Sequence, residues 1–162
     1  MKPNTPFSFL KNNILPPAGP ALEQYYLPIL EVETVTVYRY LLASYDQGEK
    51  QYLLAQILNH LNIGFPQLLL AFDRLIAMGL IDLYEEEVGI TIQLHAPLEA
   101  GEFFSNAVFK RLLEKKIGEK AVEDLLPVRS LGTRRQVSFS QVFGIDAGET
   151  TVLPSKKQQF DM

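Results

Sequence analysis

Cysteine is absent from the 162 residues, which excludes disulfides, thiolate metal sites and a cysteine nucleophile. Histidine is scarce: His60 and His95 are the only two. They stand at no HxxxH or HExxH spacing, and nothing in the sequence pairs them. Both read as structural or surface residues, so no zinc site is expected. The phosphate-cradling G-x-x-x-x-G-K-[ST] loop, G-x-G-x-x-G and G-x-S-x-G are missing as well. No catalytic residues, no cofactor and no metal are therefore expected. The opening Met1-Lys2-Pro3-Asn4-Thr5-Pro6 lacks an apolar core and a small-residue cleavage site, which argues against a secretory signal. Residues 51–72 carry no charge and are long enough to cross a bilayer. Yet they hold Asn59, His60, Asn62, Gly64, Pro66 and Gln67 and break at Asn62-Ile63-Gly64, so two core helices are expected in place of a span.

Positive charge is the other shortage. Residues 1–100 hold 5 basic and 11 acidic side chains, against 10 and 8 in the remainder. A domain that grips duplex DNA carries a basic face, and the front of this chain has none. With 47% hydrophobic and 21% charged residues the chain is nonetheless an ordinary globular one, long enough for one domain with flanking segments.

What is present is a helix, a sharp stop and a ribbon. Leu68, Leu69, Phe72, Leu75, Ile76 and Met78 recur at helical spacing until Gly79 ends the run. Residues 80–84 and 90–94 are β-prone segments around the charged tip Glu85-Glu86-Glu87-Val88-Gly89. Upstream, Val37, Tyr40, Leu41 and Ser44 mark a helix over 33–45, stopped at Asp46-Gln47-Gly48. Leu53, Leu54, Ile57, Leu58 and Leu61 mark another over 50–61. Asn62-Ile63-Gly64 makes the turn, and Pro66 opens the third helix, where its missing N–H costs nothing. Three helices and a hairpin are the winged helix-turn-helix order. A short helix over 21–27, stopped near Pro28, and a candidate strand at Phe7-Ser8-Phe9-Leu10 precede them. One helix carrying Phe103, Phe104, Val108, Leu112 and Leu113 and ending at Ile117-Gly118 follows, then a short one over 119–126 that Pro127 stops. The expected fold is α+β, mainly α: an arm over 1–20, a winged-helix domain with post-wing helices over 21–126, and a carboxyl-terminal extension or linker, partly flexible, over 127–162.

Base readout by the last helix of the motif needs Arg, Lys, Asn or Gln on its exposed side. That helix offers only Gln67, Asp73 and Arg74, and each wing glutamate repels a phosphate. The three glutamates lack the neighbouring oxygen ligands of a cation loop and read as a solvated turn. Cations gather later, as Lys110, Arg111, Lys115, Lys116 and Lys120 on the post-wing helix and as Arg134-Arg135 and Lys156-Lys157 in the tail. They read either as a solvated face with the ion pairs Lys110–Glu114 and Lys115–Glu119 or as a weak, non-specific nucleic-acid contact through Lys110, Arg111, Lys115 and Lys116. The aromatic surplus at Tyr25-Tyr26-Leu27-Pro28 reads either as packing of an accessory element or as a self-association surface.

Four segments resemble one family. Tyr26-Leu27-Pro28-Ile29-Leu30 is similar to the L-Y-x-P-I-I-G start of the DnaB replication initiation and membrane attachment proteins of Gram-positive bacteria, relatives of DnaD and distinct from the hexameric helicase of the same name. The stretch over 72–80 is similar to the family's R-L-x-x-I-G-L helix end. Pro97-Leu98 with Phe103-Phe104, Leu112-Leu113 and Ile117-Gly118 resembles L-x-x-P-L-S-P-x-x-F-F … L-L … V-G, and Val137-Ser138-Phe139 through Val142-Phe143 resembles T-x-S-F-x-x-V-F. The sequence departs at Glu31, where glycine is common, and at Ala100, where proline is. The resemblance implies the N-terminal winged-helix domain of a helicase co-loader. That domain self-associates as a dimer or tetramer and docks other primosome proteins, such as DnaD-like and helicase-loader proteins, with DNA contact weak at most. Tyr25, Tyr26, Leu27, Pro28, Phe103 and Phe104 are the expected interface or organising residues. The implied location is cytoplasmic, with peripheral membrane attachment through a longer protein of which this chain is expected to be a part. The competing reading is a winged-helix transcription regulator or phage replication protein that binds DNA through the basic post-wing helix.

Overall fold

The computed structural model describes residues 1–11, 15–16, 19–47, 51–126 and 132–144. Gly48, Lys50, Pro127, Lys156 and Lys157, which the sequence reading used as breakers, a helix start or a basic patch, lie outside the described residues. The chain divides into two units, Met1–Pro127 and Val128–Met162.

In the first unit the elements run β1 (Pro6–Phe9), a π-helical turn (Leu22–Tyr26), α1 (Leu27–Tyr45), β2 (Tyr52–Leu53), α2 (Leu54–Leu61), α3 (Phe65–Ala77), β3 (Ile81–Glu85), β4 (Ile90–Leu94), α4 (Ala100–Ser105), α5 (Ala107–Ile117) and α6 (Glu119–Leu125). This is the α+β, mainly helical winged helix that the sequence predicts. β3 and β4 form the wing, antiparallel, with Ile81 opposite Leu94 and Glu85 opposite Ile90. The alternation is plain on β4, where Ile90, Ile92 and Leu94 are buried and Thr91 and Gln93 are not.

The stop after α3 follows from its sequence. Gly79 takes φ +73°, its N–H donates to the Ile76 carbonyl at 3.0 Å, and the Leu80 N–H donates to Leu75 at 2.9 Å. That pair of bonds is a Schellman motif, with Leu75 and Leu80 both buried beneath it. Between α2 and α3, Asn62 takes the left-handed conformation at φ 55°, and Gly64 is extended at φ −82°. A glutamine closes the first turn of each helix. Gln56 Oε1 accepts the Leu53 N–H at 2.7 Å, and Gln67 Oε1 accepts the Gly64 N–H at 2.6 Å.

The structure departs from the sequence reading in four places. The sheet order is β2-β1-β4-β3, so Pro6–Phe9 lies inside the sheet, antiparallel to β2 and parallel to β4. Phe7, 1% exposed, stacks on Tyr52 with ring centroids 5.3 Å apart. Lys11 holds the strand's exit, donating to the Tyr45 carbonyl and lying 4.6 Å from the centre of that ring. Gly89 in the wing-tip turn has no room for a Cβ because the Pro6 carbonyl approaches it.

Pro28 does not stop a helix. The helical path runs on from the π-helical turn through Leu30 and breaks at Glu31 (φ 73°, ψ 164°). A proline lacks the N–H and crowds the carbonyl four residues back; a π-helical turn just upstream, with Leu27 N–H bonded to the Leu22 carbonyl, widens the backbone and accommodates both. The helix expected over 50–61 begins only at Leu54, because Tyr52 and Leu53 pair with β1. The single post-wing helix is two, since Asn106 leaves the helical region (ψ 106°) and its Oδ1 caps α5 from Val108 N–H and Phe109 N–H at 3.0 and 3.1 Å.

In the second unit Phe139–Phe143 form α7, ended by Gly144 at φ 67°, with the two phenyl rings 4.9 Å apart.

Candidate interaction surfaces

The two aromatic motifs, about eighty residues apart in the chain, meet in one cluster. Phe103 lies 5.2 Å from Tyr25, 5.2 Å from Tyr26, 5.4 Å from Phe104 and 5.6 Å from Phe109, centroid to centroid. Tyr25, Tyr26 and Phe103 are buried, the last completely; Leu27, Pro28 and Phe104 are half-buried. Tyr26 OH accepts the Leu98 N–H at 2.8 Å, and Tyr38 OH donates to the His95 carbonyl at 2.5 Å. These two hydroxyls pin the exit of β4 where Pro97-Leu98 leads into α4. Burial pushes the Tyr26 phenol above its ordinary value, the Leu98 N–H offsetting part of this and the Glu102 charge adding to it. In this structure Tyr25, Tyr26 and Phe103 are therefore interior residues that fasten the post-wing helices to the three-helix unit, and they present no outer face to a partner.

The outer face of α3 carries few groups able to read a base edge. The Gln67 side-chain oxygen is engaged by the helix's own first turn. Arg74 Nη1 lies 3.7 Å from Glu31. What remains exposed is Pro66, Leu70, Asp73, Ile76 and Ala77. On the wing, Glu85, Glu86, Glu87 and Val88 are all exposed, and Thr91 Oγ1 donates to the Glu86 carboxylate. Carboxylates and aliphatic side chains thus occupy the elements that would meet DNA.

Of the basic residues on α5, only Lys116 has an ion-pair partner among the described residues, Glu31 at 3.9 Å. Neither Lys110–Glu114 nor Lys115–Glu119 forms, so the expected laddering along the helix is absent. Lys110 is half-buried, and Arg111, Lys115 and Lys116 are exposed.

Both histidines have partners that sequence spacing did not reveal. His95 Nε2 lies 2.7 Å from Asp82 Oδ2 across the wing strands, a diagonal pair two residues off the Asp82–Gln93 register. His60 Nδ1 lies 2.6 Å from Tyr40 OH. Glu31, touching both Arg74 and Lys116, was also missed as a bridging residue. No group of three or more metal-capable side chains comes together among the described residues, and no described helix is long and apolar enough to cross a membrane.

A family model for the DnaB N-terminal winged helix domain matches residues 1–162. The chain belongs to that family. The fold is also similar to the crystal structure of primosome protein DnaB (residues 1–300) from Geobacillus stearothermophilus, with a TM-score of 0.73 at 17% identity, covering 86% of this chain and 59% of that one. At that identity the likeness is one of fold, and the chain spans about three-fifths of that structure. No curated protein matches. Three of the four segments that resemble the DnaB family fall on joints of the first unit, namely the π-helical turn with the break at Glu31, the Schellman motif at Gly79 and the aromatic cluster around Phe103, and the fourth falls on α7.

Proposed function

We propose that the chain serves DNA replication initiation as the N-terminal self-association and protein-docking module of a primosomal helicase co-loader, helping to deliver the replicative helicase to DNA. The observation that carries this reading is the state of α3: its glutamine caps the helix, its arginine faces Glu31, and three glutamates crown the adjoining wing. A surface of this kind repels phosphate and suits protein. Its mechanism is scaffolding: several copies hold DNA-active and helicase-active modules together and raise their effective concentration on the strand. Other primosome proteins are the proposed partners, and any membrane attachment is peripheral and belongs to the full-length protein.

A second reading draws on Lys110, Arg111 and Lys115, which have no ion-pair partner among the described residues: a weak, sequence-blind DNA contact through α5. Light scattering with a parallel DNA titration separates the two. The docking reading expects dimers or tetramers and a DNA dissociation constant no tighter than about 10⁻⁴ M at physiological salt. Tighter binding that weakens steeply with salt and is lost on reversing Lys110, Arg111, Lys115 and Lys116 would favour the second. Sequence-selective binding that depends on Gln67 and Arg74 would overturn both.

A further inference from the structure

Two faces of the first unit carry opposite charge on the same spacing. Along α3, Leu70, Asp73 and Ala77 are exposed at i, i+3 and i+7, Leu70 at 49%. Along α5, Val108, Arg111 and Lys115 are exposed at i, i+3 and i+7, Val108 at 66%. Residues so spaced share one side of a helix. Each stripe therefore pairs an aliphatic side chain with charge about one turn away, acidic on α3 and basic on α5. Asp73, Arg111 and Lys115 have no ion-pair partner within 4.0 Å among the described residues. Exposed aliphatics taken singly are ordinary; matched stripes of unpaired and opposite charge are not.

The two helices approach each other along their flanks at Glu31. Arg74, next to Asp73, and Lys116, next to Lys115, reach the same Glu31 carboxylate at 3.7 and 3.9 Å. Val32, beside Glu31, is 70% exposed and adds a third aliphatic to the region. Adjacent faces of opposite sign are self-complementary under a two-fold rotation, which sets each against its opposite and closes the assembly at two copies.

We infer that α3 of one copy packs against α5 of a second, and α5 of the first against α3 of the second, with Asp73 facing Arg111 and Lys115 and Leu70 facing Val108. This rests on the self-association reading and names its surface. It also accounts for the lack of i, i+4 ion pairs along α5, whose outward cations are kept for the other copy.

Charge reversal in the full chain tests it, read by analytical ultracentrifugation. Both positions are exposed, so D73K and R111E are expected to keep the wild-type circular dichroism spectrum and melting midpoint. Each alone places like charges across the interface and is expected to weaken the dimer at least about tenfold. In an equimolar mixture of the two variants one contact is wild-type and the other sets the two reversed charges against each other beside the unchanged Lys115, so heterodimers at least about tenfold tighter than either variant's homodimer are expected. If the wild type dimerises and either variant does so equally well, or if mixing restores nothing, this interface is wrong and self-association stands on another surface. A wild type that stays monomeric at all concentrations overturns this inference and the self-association reading together.

Discussion

Tyr38 is wholly buried, and its hydroxyl donates to the His95 carbonyl from a helix 57 residues earlier in the chain. Burial raises its phenol pKa, and the neighbouring Tyr26 adds to the shift. Tyr26 and Tyr40 shift the same way, each chiefly through burial. A phenol whose folded pKa is raised contributes stability that is complete below the unfolded value, about 10, and is lost as pH climbs past it. Urea unfolding across pH 8 to 11 should therefore show stability falling above about pH 10 in the wild type and falling less steeply in Tyr38→Phe. At pH 8 the same variant should be weaker by about 1–2 kcal/mol, because the His95 carbonyl loses its donor. A loss at pH 8 without any change in the alkaline slope would mean that Tyr38 does not govern that slope. Little of this was legible beforehand. Tyr38 lies on the predicted helix, but which carbonyl its hydroxyl reaches depends on how the wing folds back. Gln67 and Arg74 teach the same lesson: composition identified them as the helix's potential base readers, and the fold engages both within the chain.

At the scale of elements, the break in α1 falls at a residue ill suited to it. Glu31 sits at φ 73° and ψ 164°, a region that glycine alone occupies freely and that costs other residues about 1–3 kcal/mol. Against that cost stand two ion pairs, to Arg74 and Lys116, whose carboxylate is 61% exposed; such pairs contribute about 0–1 kcal/mol each. Glu31→Gly should therefore stabilise the chain by about 1 kcal/mol net, seen as a raised urea midpoint with an unchanged slope. A lowered midpoint would show that the bridge to α3 and α5 outweighs the backbone strain. Sequence reasoning expected two helices here and erred on the stop, because proline is a breaker by rule whereas a glutamate break has no local signal. The glycine common at this position in the DnaB family was the available clue. By contrast, the stop at Gly79 and the turn at Asn62 were legible, since each depends on a single residue's tolerance of positive φ.

For the molecule as a whole, the decisive placement is that of β1. Phe7 lies between β2 and β4 and stacks on Tyr52, while Phe9 meets Tyr45 edge-on at 5.6 Å. Phe7→Ala should accordingly cost about 3–5 kcal/mol, as for other buried phenylalanines, and should broaden the amide NMR signals of the wing strands as well as those of the first ten residues. Loss of order confined to residues 1–10 would show that the sheet holds without its inserted strand. The hydrophobic rhythm, the turn residues and the deficit of cations are properties of neighbouring residues, so the sequence by itself determined three helices, a hairpin and a recognition helix unsuited to phosphate. Tertiary structure alone decided that the amino-terminal strand enters the sheet, that the two aromatic motifs form one cluster, and that Glu31 joins α3 to α5. Those contacts are made between residues far apart in the chain, where no periodicity reports on them and only the packing of whole elements selects the partner.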